Sequence, residues 1–567
     1  MKKPELLAPA GSYEAALAAL KAGADAIYVG GRMLNARMNA SNLTDDELKK
    51  LTDVCHTRGV KVYVTVNTAV YDKELKEAVS YLDVLYKIGI DALIVSDLGL
   101  ASLVRERYPN MELHASTQAS GHNTQCAEAF AKMGFSRMVC ARELSNSEIT
   151  ELCKSSPIEI EQFVHGAMCV SQSGQCLASA VMGGRSGNRG VCAQPCRMKY
   201  NDTYPLSLKD MCLANHITEI IESGVASLKI EGRMKSPAYV YEVVSTYRKL
   251  LDEGRNAKND EINTLAGVFS RGGFTDGYYT ESISHEMLGI RSDTDKKATS
   301  NVKTSFNDTN RSLPKITVAD RNPQGEVNFP KPPKKQSSGK PILTARFYTP
   351  EQICGEDKFK HIYLPLDKYE KDACDGILLP PAVFGGEEKK FLCDLERAVS
   401  LGATEVLITH IGQIEIAKKY GLNIHGDYRL NIFNTSAAKL YTEMNVRDVI
   451  LSPELTLPQI RDINAPKAVI AYGKFPIMLL TKPVGANALR DKTGATFPII
   501  KENGRDILLN SVPIYMADKQ KDLDAYGVRA RHFIFTTENK SQCKQVITAY
   551  ENGTPTTYPI RRILKSN

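Results

Sequence analysis

The sequence predicts an α/β protein: a (β/α)8, TIM-like barrel followed by a second, diverged βα barrel-like domain. Three observations carry that expectation. Before residue 250, short apolar runs alternate with amphipathic stretches, and the strand-like runs number eight. A chain of 567 residues is too long for one ordinary domain. The second half repeats landmarks of the first at a nearly constant offset.

The predicted strands are Glu5–Pro9, Ala26–Gly30, Lys61–Asn67, Asp91–Asp97, Glu112–Gln118, Arg137–Ala141, Ile158–His165 and Ala226–Glu231. Helix starts separate them. Ser12 precedes Tyr13-Glu14-Ala15-Ala16, Thr44-Asp45-Asp46-Glu47 reads as a capping box, and Asn146-Ser147-Glu148 opens another helix. An open doubly wound sheet is the alternative, but eight units in this length fit a closed barrel better. A barrel keeps its chemistry at the C-terminal ends of its strands. Those ends are Ala10-Gly11, Gly30-Gly31, Asn67, Asp97, Gln118, Glu143, His165 and Glu231-Gly232-Arg233.

The barrel is expected over residues 1–294. Residues 295–340 turn polar, with Lys296-Lys297, Asn307-Asp308-Thr309-Asn310 and Pro330-Lys331-Pro332-Pro333-Lys334-Lys335. They read as a linker with one or two short strands around Ile316–Val318; a solvated tether and a nucleic-acid contact are both open to it. Residues 341–567 form the second barrel. In it Gly402–Gly412 matches Gly89–Gly99, His425 matches His114, and Asn434-Thr435 matches Asn123-Thr124. Glu454-Leu455 matches Glu143-Leu144, and Tyr472-Gly473 matches His165-Gly166.

The balance of 43% hydrophobic and 24% charged residues is that of a soluble globular protein. No apolar run approaches the roughly 18–20 residues that span a bilayer. The start, Met1-Lys2-Lys3-Pro4-Glu5, has no signal-peptide core, so a cytoplasmic location is expected. A net charge of +7 is mild for this size and does not by itself point to nucleic acid. Thirteen cysteines, an odd count, argue against a disulfide framework.

Four of those cysteines carry the chemistry. The run Cys169-x6-Cys176-x15-Cys192-x3-Cys196 follows the seventh strand and is interleaved with Gly174, Gly183-Gly184, Gly187 and Gly190. Cysteines in a glycine-rich loop are poor core filler. Soft thiolates suit zinc or iron–sulfur. Structural zinc favours tight C-x2–4-C pairs on both sides, and only Cys192-x3-Cys196 comes close; this spacing, together with the family resemblance given below, favours iron–sulfur. In the second half Cys169 falls on Pro476 and Cys176 on Pro483, so that copy keeps the architecture without the ligands and is expected to hold or recognise the substrate.

Arg185, Arg189, Arg197, Lys199 and Arg233 accompany the cysteines. Arginine forks suit carboxylates and phosphates, so an anionic substrate is expected, with some of these charges balancing the cluster itself. His165, Glu143 and Glu231 are the acid–base candidates, though such glutamates often pair with arginines. Neither H-E-x-x-H nor G-x-S-x-G occurs, and a His165–Cys169 nucleophile competes with the ligand role of Cys169.

The residues Phe163-Val164-His165-Gly166-Ala167-Met168-Cys169, Ser173-Gly174-Gln175-Cys176 and Gly184-Arg185-Ser186-Gly187-Asn188-Arg189-Gly190-Val191-Cys192-Ala193-Gln194-Pro195-Cys196-Arg197 closely resemble the signature of the U32 "peptidase", or collagenase-like, family. Glu5–Gly11 and Lys229-Ile230-Glu231-Gly232-Arg233 resemble it too. The family name implies proteolysis. The resemblance also implies cluster-bearing RNA hydroxylation factors, with a 4Fe–4S cluster as the expected form and prephenate as a required metabolite. One group acts on a cytidine of 23S ribosomal RNA, another on the wobble uridine of tRNA, and a third works in ubiquinone synthesis. The retained Gln194-Pro195-Cys196-Arg197 fits the RNA-hydroxylating groups, and the long C-terminal half resembles the ribosomal-RNA group more, although this chain is shorter than that group's longest members. The expected reading is an iron–sulfur-dependent pyrimidine C5-hydroxylase of RNA. A peptidase and a non-catalytic cluster-bearing factor are the alternatives.

Overall fold

The computed structural model describes residues 3–38, 40–293, 295, 299, 305–309, 311, 313–319, 321–333 and 340–554. All eight predicted strands form: β1 (Glu5–Ala10), β2 (Ala26–Gly30), β3 (Lys61–Val66), β4 (Ala92–Val95), β5 (Glu112–Ala115), β6 (Arg137–Val139), β7 (Glu159–Gly166) and β9 (Ser227–Ile230). They pair in parallel, and β9 closes the barrel by bonding both β1 and β7. β8 (Asp210–Cys212) runs antiparallel to the end of β7, and β10 (Phe274–Thr275) flanks it.

The second half closes in the same way. β11 (Ile342–Arg346), β12 (His361–Pro365), β13 (Gly376–Leu378), β14 (Glu405–Ile408), β15 (Asn423–Gly426), β16 (Val446–Ile450) and β17 (Lys467–Gly473) lead to β23 (Ala530–Ile534). β23 bonds both β11 and β17. Between β17 and β23 lie a four-stranded antiparallel sheet, β18 (Pro476–Leu480), β19 (Ala488–Arg490), β20 (Thr496–Glu502) and β21 (Arg505–Leu509), and then β22 (Ile514–Tyr515). β22 runs antiparallel to β17 as β8 does to β7. Each barrel thus makes its long excursion after the seventh strand. Gly166 and Gly473 mark that exit with φ of 105° and 153°. A Cβ on either would strike the eighth strand's exit, 2.5 Å from the Glu231 carbonyl or 2.6 Å from that of Ile534.

Capping sets the local boundaries. Ser12 and Thr44 cap as expected, Thr44 in a full box with Glu47. Asn146 opens its helix as expected, with Ser145 as the cap and Glu148 completing the box. β4 and β5 stop short of the expected Asp97 and Gln118. Asp97 leaves the strand to cap Leu98–Arg107, and Ser116 accepts from the Gln118 N–H.

The barrels meet through their C-terminal faces, with near two-fold equivalence. Asn123 Nδ2 donates to the Val383 carbonyl at 3.0 Å, and Asn434 Nδ2 donates to the Val70 carbonyl at 2.9 Å and to Asp97 at 2.8 Å. His410, which sits where Asp97 sits in the first copy, lies 3.2 Å from Cys126 Sγ through Nδ1. The crossing is close because of two matched glycines. A Cβ on Gly99 would come within 2.3 Å of Ala437 N, and one on Gly412 within 2.8 Å of Cys126 N.

The segment between the barrels is not a free tether. Its Thr309 and Ile316 N–H groups donate to Lys21 and His56 carbonyls, and Gln324 N–H donates to that of Arg107. Arg311 pairs with Asp25 at 2.8 Å and Arg321 reaches the Ile90 carbonyl at 2.7 Å. These partners lie on helix ends and on the loops feeding the strands, so the segment straps the floor of the first barrel. The expected strand at Ile316–Val318 does not form, because its backbone bonds to a helix end rather than to another strand. Lys296, Lys297, Asn310, Lys334 and Lys335 lie outside the described residues. No helix among the described residues is long and apolar enough to cross a membrane.

Candidate metal centre over the first barrel

The four cysteines sit on the excursion that folds back over the first barrel's mouth. Cys169 follows β7. Cys176 precedes the short helix Ala178–Gly183, and Cys196 lies within the 3-10 turn Pro195–Arg197. Gln194 adopts a left-handed φ of 56° at the turn, and its N–H donates to Cys192 Sγ at 3.3 Å. Cys192 is exposed and the other three are half-buried.

The thiols sense one another. A hydrogen bond with Cys196 pulls the Cys169 thiol down to about 6 against its burial, with Arg142 and Arg197 helping. Cys176 is pushed up by burial and by Cys169 and Cys192. Cys196 is pushed up by the same bond to Cys169 and by burial. Tetrahedral zinc with Zn–S near 2.3 Å would hold sulfurs about 3.8 Å apart. No three of these sulfurs gather within 4.8 Å; the described groups that do so are His122–Cys126–His410 and His361–Glu405–His425. Four soft donors spread more widely than one ion needs, with a backbone N–H to sulfur and arginines alongside, fit an iron–sulfur cluster.

The second barrel builds this centre's frame. β18 pairs with the cysteine loop: Gln172 N–H donates to the Leu479 carbonyl and Leu177 N–H to that of Ile477, both at 2.8 Å. Thr481 N–H returns a bond to the Val170 carbonyl at 3.1 Å. Pro476, the counterpart of Cys169, therefore opens the strand that backs the ligand loop. The matched glutamates clasp the loop from two sides. Glu143 accepts from the Ser173 N–H at 2.9 Å and its hydroxyl at 3.1 Å. Glu454, from the other barrel, accepts from Ser186 Oγ and Asn188 Nδ2, both at 3.1 Å. Burial raises the carboxyl of Glu143, and lifts that of Glu454 to about 7.

The predicted arginines divide. Arg189 is committed to Glu74 at 2.7 Å, and Arg197 to the Met168 carbonyl at 2.8 Å and Ser207 at 3.0 Å. Arg185 donates to the Val191 carbonyl at 3.0 Å. These three brace the loop. Arg233 reaches down to Thr65 Oγ1 at 2.8 Å, and burial lowers its guanidinium to about 10. Glu231 meets basic groups, two of them outside the arginines that the sequence singles out. Arg37 pairs with it at 3.0 Å and Arg142 approaches at 3.6 Å. Burial would raise the Glu231 carboxyl; Arg37, Arg142 and Arg233 outweigh that and hold it near 2. Glu231 is therefore a fixed anion. Arg142 stacks on Phe163 at 4.0 Å, and its Nε, like that of Arg233, is buried without a hydrogen-bond partner. Lys235 joins this mouth, lowered by burial to about 7. Isolated loop arginines have no spacing signal; the only hint was that Arg142 adjoins Glu143 at a strand end.

His165 is fully buried among Tyr239, Tyr247 and Phe274. Its Nδ1 lies 3.4 Å from Tyr247 Oη, and its Nε2 has no partner. Burial, with Lys235, lowers it to about 3, so the imidazole is neutral. Its described polar contact is Tyr247, not Cys169.

Comparison with known proteins places the chain in a family. The model of peptidase family U32 matches residues 11–288 and 381–474, reaching into both barrels. The tRNA hydroxylation protein P1 of Bacillus subtilis (strain 168) is 40% identical over 268 residues, covering 44% of this chain and 64% of that protein. The 23S rRNA 5-hydroxycytidine C2501 synthase of Escherichia coli (strain K12) is 40% identical over 274 residues, 46% of this chain and 41% of that protein. A collagenase of Porphyromonas gingivalis (strain ATCC BAA-308 / W83) is 36% identical over 306 residues, 48% of this chain and 73% of that protein. The match spans less than two thirds of the first two relatives. With more than half of its length matched by the family model, the chain belongs to peptidase family U32.

Proposed function

We propose that this protein hydroxylates C5 of a pyrimidine in RNA, with a cytidine of 23S ribosomal RNA as the first candidate and the wobble uridine of tRNA as the second. The observation that carries the reading is the position of four thiols directly over a cationic barrel mouth. Cys169, Cys176, Cys192 and Cys196 would hold an iron–sulfur cluster, 4Fe–4S in its expected form. Bound there, it would supply electron transfer.

The chain's own residues prepare the rest. Arg37, Arg142 and Arg233 outnumber Glu231 and leave positive charge in a buried site. A small dicarboxylate such as prephenate would neutralise it, and the partnerless Nε–H groups of Arg142 and Arg233 would gain acceptors. Neutral His165 has one donor and one acceptor nitrogen, and with Nδ1 beside Tyr247 its Nε2 is left for one further hydrogen bond. Work on a ring carbon needs an unstacked base, so single-stranded or flipped nucleotides are the fitting substrates.

The collagenase relative motivates the peptidase reading. It needs an accessible nucleophile beside a base; His165 contacts Tyr247 instead of Cys169, and the Cys126–His410 pair is buried between the barrels. Nucleoside mass spectrometry of ribosomal and transfer RNA from a deletion strain tests the proposal. Loss of one hydroxylated pyrimidine is expected and names the RNA; an unchanged nucleoside set together with gelatin cleavage by the pure protein would favour the peptidase.

A further inference from the structure

The two barrels neutralise their floors differently. In the first, Arg137 on β6 pairs with Glu5 at 2.7 Å, Glu159 at 2.7 Å and Glu161 at 3.2 Å, and Lys229 on β9 pairs with Glu161 at 2.7 Å. In the second, the repeat offset that carries His114 to His425 puts Asp448 where Arg137 stands, and strand register puts His532 where Lys229 stands. Both fixed cations are gone, while Glu405, Asp375 and Asp448 gather at the same level. The nearest guanidinium recorded there, that of Arg447, is 4.0 Å from Glu405 and half exposed.

The histidines at this floor are arranged in a particular way. His361 opens β12, and its Nδ1 lies 2.7 Å from Asp375 Oδ2. His425 on β15 has Nδ1 2.9 Å from Asp448 Oδ1. In the tautomer that gives each Nδ1–H to a carboxylate, each Nε2 carries a lone pair; as it stands His425 is held protonated between Asp448 and Glu405, and a bound ion would take the place of its Nε2 proton. His425 Nε2 lies 3.0 Å from Glu405 Oε2, and His361 offers a ligand atom within 4.8 Å of both. Asn423 Nδ2 holds the other Glu405 oxygen at 2.7 Å. Carboxylates that fix the tautomer and aim Nε2 are the usual outer partners of metal-bound histidine. Ligand bonds of about 2.0–2.1 Å in a tetrahedron separate donor atoms by roughly 3.3 Å, close to the Nε2–Oε2 spacing seen.

We propose that the floor of the second barrel binds one divalent ion of the zinc class through His361 Nε2, His425 Nε2 and Glu405, with Asp375 and Asp448 as orienting partners. The ion replaces the two cations that this barrel lost and ties β12, β14 and β15 together. Barrel chemistry belongs to the opposite face, so the role is structural. The site is independent of the cysteine centre and of the RNA reading.

Co2+ is the probe, added to the full-length chain and to His361→Gln and Glu405→Gln variants, with metal content and visible spectra recorded. The wild type should take up one equivalent more than either variant. The difference spectrum should show tetrahedral d–d bands without sulfur-to-metal charge transfer. Asp375→Asn, which leaves the ligands intact, should weaken Co2+ binding roughly 10–100-fold. Equal uptake by wild type and variants would overturn the site and leave His425 as a protonated bridge between two carboxylates. Sulfur charge transfer in the difference spectrum would overturn it too. A cluster absorbance that stays unchanged in both variants separates this result from the fate of the cysteine centre.

Discussion

The first and second barrels spend the same architectural excursion in different ways. Both leave their seventh strand through a left-handed glycine, Gly166 or Gly473, and both return an antiparallel strand to it. The first barrel then lays a cysteine loop across its own mouth. The second folds an antiparallel sheet whose β18 pairs with that loop. At the mouth, register puts Ile534 opposite Glu231, and the repeat puts Pro453 opposite Arg142. One copy keeps charge and thiols, and the other gives its edge strand and Glu454 to hold them. A second copy of a fold can thus lack the thiols and still help to hold the loop that carries them.

Four changes break or sharpen this contrast. The largest effect is expected from Cys169→Ala or Cys196→Ala. Protein purified without oxygen should lose its broad absorbance near 400 nm, a wavelength typical in order of magnitude for iron–sulfur charge transfer. A colourless wild type holding one zinc would sink the cluster. Next, Lys229→Met leaves Glu161 buried with Arg137 alone, and chemical denaturation should report a loss of about 3 kcal/mol.

Glu454→Gln probes the clasp between barrels. Its folded carboxyl, lifted by burial to about 7, lies above its ordinary 4.5. The folded state therefore holds the proton more tightly. Stability from this group is complete below about 4.5 and is lost as pH rises through about 7, on the order of 3 kcal/mol in all. The glutamine variant should flatten the fall in Tm across that window; an identical pH slope would show that Glu454 does not titrate there. Smallest is Arg142→Lys, which loses the planar fork. On the proposed reading, calorimetric affinity for prephenate should fall about tenfold, while the matching Pro453→Ala leaves it unchanged.

Much of this plan was legible in the sequence, because strand periodicity and caps are local. The eight strands of the first barrel and the repeat of Glu143 as Glu454 could be read directly. What Glu454 does could not be read, since its partners Ser186 and Asn188 meet it only when two mouths face each other. In the sequence the strap reads as a linker, because its polar side chains hide how its backbone bonds to helix ends. Arg189 and Arg197 looked like ligand binders but brace the loop, while Arg37 and Arg142 came from loops with no pattern of their own.

The most direct measurement is complementation of a deletion strain, read by mass spectrometry of its RNA nucleosides. The account predicts that the wild-type chain restores one hydroxylated pyrimidine and that the Cys169→Ala chain, expressed to the same level, restores none. Equal restoration by both chains would contradict the claim that the cysteine centre of the first barrel carries the chemistry.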